Sequence, residues 1–413
     1  MEFIADFHIH SKYSRATSRD MDIHHLAEWA KLKGITLMGT GDFTHHLWLE
    51  ELKANLTDLG NGLFKYQDTC FILTTEISSI YSKNGKGYRI HNMVFCPSFK
   101  TADKINATLS RYGNLASDGR PILGLDAAEI ARIVFDIDEN CMVVPGHIWT
   151  PWFSLFGSMS GFNRIEDCFE AQTPKIFALE TGLSSDPAMN WRLSALDRFT
   201  LVSNSDSHSP SKIGREANVF DCELDYQTIR EVLKTKDKKR FLYTIEFFPE
   251  EGKYHFDGHR LCGIRFSPKE TKAHNGKCPT CGKSVTVGVV NRVEQLADRP
   301  EGYEPSNAIP FKNLVPLVEI IAEAKGVAKT SVVVEREYRS LVAKFGTEFE
   351  ILLKAQPEQL RKGLPLKIAE GVLRVRQGKI SVKAGFDGEY GIVSVLQNEE
   401  KTSSEGEKQL SLF

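Results

Sequence analysis

The sequence predicts an α/β fold over residues 1–245, then a small metal-ribbon module at 250–304 and a mainly helical region at 305–396. Three observations predict it. Short apolar runs alternate with helical patterns in the first part, implying strands joined by helices in a parallel α/β architecture. His, Asp and Glu recur at or just past the C-terminal ends of those runs, where α/β barrels keep their chemistry. Beyond Thr244–Lys253 the pattern changes to short Gly- and Cys-containing runs and then to helical periodicity.

Phe3–Ile9 reads as the first strand, and Met21–Lys33 as an amphipathic helix that Gly34 terminates. Ile35–Gly41 is a second strand, and Phe71–Ile77, Ile90–Cys96, Cys141–Pro145, Ala178–Thr181 and Thr200–Ser203 continue the series. His255–Arg299 carries the short-strand signals, and Pro305–Pro310 acts as a linker. Phe311–Gly378 is helical by periodicity, with breaks at Gly326, Gly346, Pro357 and Pro365. Ile380–Leu396 reads as a hairpin turned at Phe386-Asp387-Gly388. Residues 397–413 are a polar tail, expected to be flexible.

A formal net charge of -2 gives no global signature of nucleic-acid binding, so any DNA contact must come from local basic patches. No apolar run approaches the roughly 18 residues that span a membrane. The N-terminus MEFIADFHIH reaches charged residues too soon for a signal peptide. Of eight cysteines, only Cys278 and Cys281 form a C-x-x-C pair, which suits a reducing cytoplasm with one metal knuckle. A cytoplasmic, nucleoid-associated protein is expected.

The strongest chemical signal is Asp6-Phe7-His8-Ile9-His10. Alternate residues of a strand share a face, so His8 and His10 project together toward one metal. Further candidate ligands arrive at strand ends: Asp42 and His45 in GTGDFTHH, Glu76 in TTEIS, His91 in RIHNM, His147 in VPGHIW, and Asp206 with His208 in SNSDSHS. Imidazole and carboxylate donors together suit zinc, manganese or iron better than calcium or magnesium. Clustered divalent ions activate water and neutralise charge at phosphorus, which suits phosphoester hydrolysis.

This order of motifs over residues 1–245 is similar to that of the PHP (polymerase and histidinol phosphatase) family of metal-dependent phosphoesterases. The resemblance implies a distorted seven-stranded α/β barrel with two or three divalent metals (zinc, manganese, magnesium or iron). It implies that His8, His10, Glu76 and Asp206 hold one ion, and that Glu76 bridges to a second held with His91 and His147. His208 with Asp42 or His45 would hold a third. His8, Glu76 and Asp206 would be central to catalysis. The sequence departs from the family where the usual T-D-H is stretched to Asp42-Phe43-Thr44-His45.

His259-Arg-Leu-Cys262-Gly263 and Cys278-Pro-Thr-Cys281-Gly282 are matching knuckles, each ligand-x-x-ligand-Gly. Four closed N/S ligands describe a structural zinc site, with His255 and His274 as rivals to His259 for the fourth place. Three features narrow the substrate. Trp149, Trp152, Phe153 and Phe156 crowd WTPWFSLF just after His147, where exposed aromatics stack on an extruded base. Lys83 and Arg89 are further candidate DNA contacts, and the run LRKGLPLKIAEGVLRVRQGK supplies a basic helical surface. Gln409-Leu410-Ser411-Leu412-Phe413 strongly resembles the bacterial sliding-clamp peptide, with Gln409, Leu410, Leu412 and Phe413 as its anchors on a polar tether.

Taken together, these features resemble the endonuclease Q family of DNA repair enzymes over nearly the full chain, in a bacterial form that binds the β sliding clamp. The resemblance implies cleavage of single- or double-stranded DNA 5′ of uracil, hypoxanthine, xanthine or an abasic site, leaving 3′-hydroxyl and 5′-phosphate ends. The alternative is a PHP phosphatase acting on a small phosphomonoester, which accounts for residues 1–245 and leaves the rest without a purpose.

Overall fold

A computed structural model of the protein describes residues 1–396. Its strands are β1 (Glu2–Asp6), β2 (Leu37–Gly39), β3 (Thr57–Asp58), β4 (Phe64–Tyr66), β5 (Thr69–Lys83), β6 (Lys86–Cys96), β7 (Ile122–Leu123), β8 (Met142–Pro145), β9 (Ala178–Glu180) and β10 (Thr200–Val202). They continue with β11 (Ala217–Asp221), β12 (Phe241–Glu246), β13 (Asp257–His259), β14 (Ile264–Phe266), β15 (Phe311–Asn313), β16 (Ser381–Lys383) and β17 (Ile392–Ser394). Eleven strands form one sheet along the path β15-β12-β11-β1-β2-β5-β4-β3, with β6 on β5 and β8, and β7 on β5.

The sheet is open and mixed, which corrects the expectation of parallel strands. β1, β2 and β5 run parallel, but β5 and β6 are an antiparallel hairpin registered from Leu73↔Cys96 to Lys83↔Lys86. Asn84 and Gly85 make its turn at φ 52° and 78°, the two positive angles that a type I′ turn requires. Regular pairing does not close a ring among the described residues: β9 and β10 form a separate parallel pair. That pair is tied to its neighbours by scattered hydrogen bonds rather than by a ladder. Ile148 N donates to Glu180 O at 3.1 Å, Phe7 N donates to Asn204 Oδ1 at 2.9 Å, and an isolated parallel bridge joins Ile9 to Ser207.

The alternation of β1 divides the core. Phe3, Ala5 and Phe7 pack into one cluster with Phe95, Phe220 and Phe241, while Ile4 joins the larger cluster beneath the helices. Asp22 caps helix Ile23–Lys33 by accepting from His25 N, and Gly34 ends it at φ 90°, the left-handed conformation glycine favours.

The downstream boundaries also differ from expectation. Phe311–Asn313, expected to open a helical region, is β15 and pairs parallel with β12 in the main sheet. Helices Leu317–Lys325, Val332–Phe345, Pro357–Gly363 and Leu366–Arg376 then pack together. β16 and β17 form the expected hairpin with Asp387 and Gly388 at φ 43° and 91°. That hairpin docks on the Cys-containing module: Asp387 accepts from Arg260 N and Thr286 Oγ1, both at 2.6 Å. No described helix is long and apolar enough to cross a membrane.

Candidate metal centres

Past the end of β1 the chain stays extended, and Asp6 holds it by accepting from Ser205 N at 3.0 Å and Gly214 N at 2.8 Å. This delivers His8 and His10 to the same place. His8 faces both oxygens of Glu180 with Nδ1, at 3.0 Å each. Its Nε2 lies 3.5 Å from Glu76 Oε2 and 3.7 Å from Asp206 Oδ1, and is buried without a hydrogen-bond partner. His10 anchors Nδ1 on Asp42 at 3.1 Å and turns Nε2 to Glu76 Oε2 at 3.2 Å and Asp206 Oδ1 at 3.1 Å. A carboxylate on one ring nitrogen fixes the tautomer and leaves the other nitrogen for a metal.

Glu76 lies midway along the long strand β5 and faces two ways. Its Oε1 meets His91 Nδ1 at 2.7 Å and His147 Nε2 at 3.1 Å, while Oε2 meets His8 and His10. Two sets of candidate ligand atoms result, each within 4.8 Å: His8, His10, Glu76 and Asp206, and Glu76, His91 and His147. The donors match the requirements of transition divalent ions, and the unpartnered His8 Nε2 is the orphaned atom such an ion would satisfy. Three site residues leave their strands in left-handed conformations, Asp42 at φ 48°, His147 at 31° and Asp206 at 45°. Such strain persists where surrounding structure over-determines it. Gly182 is part of that constraint, because a Cβ there would lie 2.4 Å from His147 Cβ.

The charges favour cations. Burial opposes protonation of His8, but Glu180, Glu76 and Asp206 outweigh it and hold its pKa well above the ordinary value. Burial likewise opposes ionisation of Glu76, and His91, Arg120 and His8 reverse that, keeping it well below the usual range. His91 is pushed down to about 4, mainly by burial, against the pull of Glu76. It is therefore a neutral imidazole ready to donate a lone pair.

The third expected set is not gathered among the described residues. Asp42 is fully buried, and besides His10 its carboxylate accepts from Ser11 N, Ser11 Oγ and Ser14 Oγ. His45 stacks on Tyr13 at 4.5 Å, and His208 lies 4.6 Å from the His10 ring with Nδ1 on Asp206 O. Asp42 therefore orients His10.

In the second module His259, Cys262, Cys278 and Cys281 converge within 4.8 Å. Gly263 and Gly282 end the two knuckles at φ 64° and 71°. Of the rival histidines, His255 is buried away from this group, and His274 stacks on Phe266 at 4.7 Å.

The aromatic loop separates into two pairs. Trp149 and Phe156 are 0% and 1% exposed, with Trp149 Nε1 donating to Asn190 Oδ1 at 2.7 Å. They are core, which corrects the expectation that all four stack on a base. Trp152 and Phe153 are half-buried. Phe153 lies 4.9 Å from the His91 ring with the exposed Arg89 guanidinium 5.4 Å from its own, and Trp152 meets Tyr254 edge-on. Lys83 is engaged by Glu170 and Asp167 O. In the basic helical run, Arg376 donates to the carbonyls of Ile351, Leu352 and Ala355, so it ties down a turn. Gln409–Phe413 lies outside the described residues.

Sequence reasoning missed Glu180 and Arg120. Glu180 stands at the end of β9, much as Asp42 and Asp206 follow the ends of β2 and β10, so its strand-end place was an available signal. Arg120 donates to Glu76 Oε2 at 3.0 Å from a loop with no pattern to read.

An open mixed α/β sheet carrying two acid–imidazole clusters that could each hold an ion has the make-up of a metal-dependent enzyme. A protein-family model, the MJ0043 C-terminal domain, matches residues 316–379. The uncharacterized protein MJ0043 of Methanocaldococcus jannaschii is 33% identical over 267 residues, 62% of this chain but 33% of its own length, so the chain spans about a third of that relative. The crystal structure of the lesion-specific endonuclease PfuEndoQ from Pyrococcus furiosus superposes with a TM-score of 0.86 at 30% identity, covering 95% of each chain. Endonuclease Q in complex with a 27-mer duplex substrate bearing an abasic lesion at the active site gives 0.85 at 29% identity, covering 98% of this chain and 100% of that one. The chain belongs to the endonuclease Q family, a family of endonucleases.

Proposed function

We propose that the protein is a metal-dependent endonuclease that nicks DNA 5′ of deaminated bases (uracil, hypoxanthine, xanthine) or abasic sites, leaving 3′-hydroxyl and 5′-phosphate ends. The observation that carries this reading is Glu76, one carboxylate shared by two imidazole clusters, in a chain alike over its length to an endonuclease Q bound to abasic duplex. Divalent ions held there would supply Lewis-acid activation of water and charge neutralisation at phosphorus. The chain's own groups do the positioning: Glu180 and Asp42 fix the rings of His8 and His10, and Glu76 sets the spacing of the clusters. Trp152, Phe153 and Arg89 offer a half-exposed stacking face beside His91 for an extruded base.

The seven strands β1, β2, β5, β6, β8, β9 and β10 are read as a distorted barrel with seams where scattered hydrogen bonds around Ile148 and Ile9 replace a ladder. His259, Cys262, Cys278 and Cys281 are read as one structural zinc site, and Gln409–Phe413 as a tether to the sliding clamp. The decisive experiment is incubation of end-labelled duplex carrying one deoxyuridine with Mn²⁺ or Mg²⁺. A cut immediately 5′ of the uracil, blocked by EDTA and absent from undamaged duplex, is expected. Intact substrate together with phosphate release from small phosphomonoesters would overturn the assignment.

A further inference from the structure

The carboxylate joining the two clusters has one cationic partner that is not an imidazole. Arg120 reaches Glu76 Oε2 with Nη1, and its side chain is 27% exposed, so the guanidinium stands between the buried acids and solvent. Among the described residues no Lys and no other Arg side chain forms an ion pair with Glu76, Glu180, Asp42 or Asp206.

The loop that carries Arg120 is seated on the centre. Gly119 N donates to Tyr13 O at 3.1 Å, Arg120 N to Asp118 Oδ1 at 3.1 Å, and Ser78 N to Pro121 O at 3.0 Å. A Cβ on Gly119 would lie 2.2 Å from Asp42 Oδ2, so the backbone touches the acid that orients His10.

A guanidinium does not lose its charge. Divalent ions in the two clusters would take both oxygens of Glu76 as ligands and set positive charge a few ångströms from Arg120. With its carboxylate coordinated, the guanidinium needs another anion. Its planar fork of donors, partly exposed beside the buried acids, matches two oxygens of a phosphate.

We propose that Arg120 is a phosphate-binding residue of this centre, hydrogen-bonding the non-bridging oxygens of the phosphodiester that lies against the clusters. It is a fixed positive charge where negative charge develops during cleavage. The proposal rests on reading the clusters as a metal centre for phosphodiester hydrolysis.

The test uses full-length, metal-loaded wild type, Arg120→Lys and Arg120→Gln. Each is titrated with inorganic phosphate by calorimetry, with metal content and thermal melting measured in parallel and nicking rates on uracil-containing duplex. Arg120→Gln is expected to keep its metal and weaken phosphate binding by about 10- to 100-fold, the size of a lost charged hydrogen bond. Arg120→Lys is expected to fall between. Unchanged phosphate affinity with full metal content would overturn the proposal. So would metal loss in both variants, which would make Arg120 a positioning residue for Glu76. Failure of wild type to nick lesion DNA would sink the functional reading and leave the phosphate titration to decide Arg120.

Discussion

Both oxygens of Glu180 face His8 Nδ1, and the same carboxylate accepts from His147 N at 2.7 Å and Asn204 Nδ2 at 2.9 Å. One buried acid thus sets a ring in the first cluster and the backbone of a candidate ligand, His147, in the second. Glu180→Gln keeps the volume and loses the charge. It is expected to lower metal affinity about 10- to 100-fold while the fold survives, measured by competition with a chelating dye. Protons compete for the same nitrogens. At His8 and His10 burial disfavours the imidazolium, yet the facing carboxylates hold both pKa values well above the ordinary one. A raised pKa favours the protonated form of both rings in the metal-free protein. Binding must then release protons, so affinity rises with pH. Calorimetric titration of metal in two buffers of different ionisation enthalpy counts those protons, and a count of zero at neutral pH would contradict the expectation. His91, already neutral at about 4, contributes none.

At the scale of elements, the sites past β1, β2, β8 and β10 were legible because chemistry in α/β folds gathers where strands stop, whereas Glu76 and His91, expected at strand ends, lie inside the long strands β5 and β6. Spacing also marked the two Cys/His knuckles whose side chains converge, since ligand-x-x-ligand-Gly describes a tight turn closed by a left-handed residue. The hairpin of β5 and β6 went unread although Asn84-Gly85 carried its turn signal, because its long apolar runs look alike whether paired parallel or antiparallel. Aromatic density could not sort the loop at 147–156, where no period says which side chain faces inward. There Asn190 decides, by accepting from Trp149 Nε1. Trp149→Ala is expected to cost about 3–5 kcal/mol in denaturant unfolding. Phe153→Ala is expected to leave the unfolding midpoint nearly in place and to weaken binding of lesion DNA, read by fluorescence anisotropy. Equal destabilisation by both would mean that Phe153 is core as well. Gly182→Ala meets His147 Cβ and a φ of 65° together, so its expected signature is a loss of more than about 1 kcal/mol of stability coupled to lower metal occupancy.

Across the whole molecule, the modules read from sequence are joined by links that composition does not reveal. β15 carries the chain from the Cys-containing module back into the main sheet before the helices begin. The helical region is further fastened by Lys33, which is 2% exposed and pairs with Glu348 at 2.7 Å. Glu348 also accepts from Leu317 N at 2.9 Å and Tyr338 Oη at 2.8 Å, so one buried acid gathers two C-terminal helices onto helix Ile23–Lys33. A lysine in the last turn of an amphipathic helix reads as solvated, and nothing local marks its partner 315 residues away. Removing one member of a buried pair leaves the other charge uncompensated, at a cost of about 3–5 kcal/mol. Lys33→Met should therefore destabilise the junction more than either domain. Wild type is expected to unfold in one denaturant transition, and the variant in two, with the C-terminal helices melting first. Hydrogen exchange localises the early step, and protection loss spread evenly over the sheet and the helices would show instead that Lys33 serves the core at large.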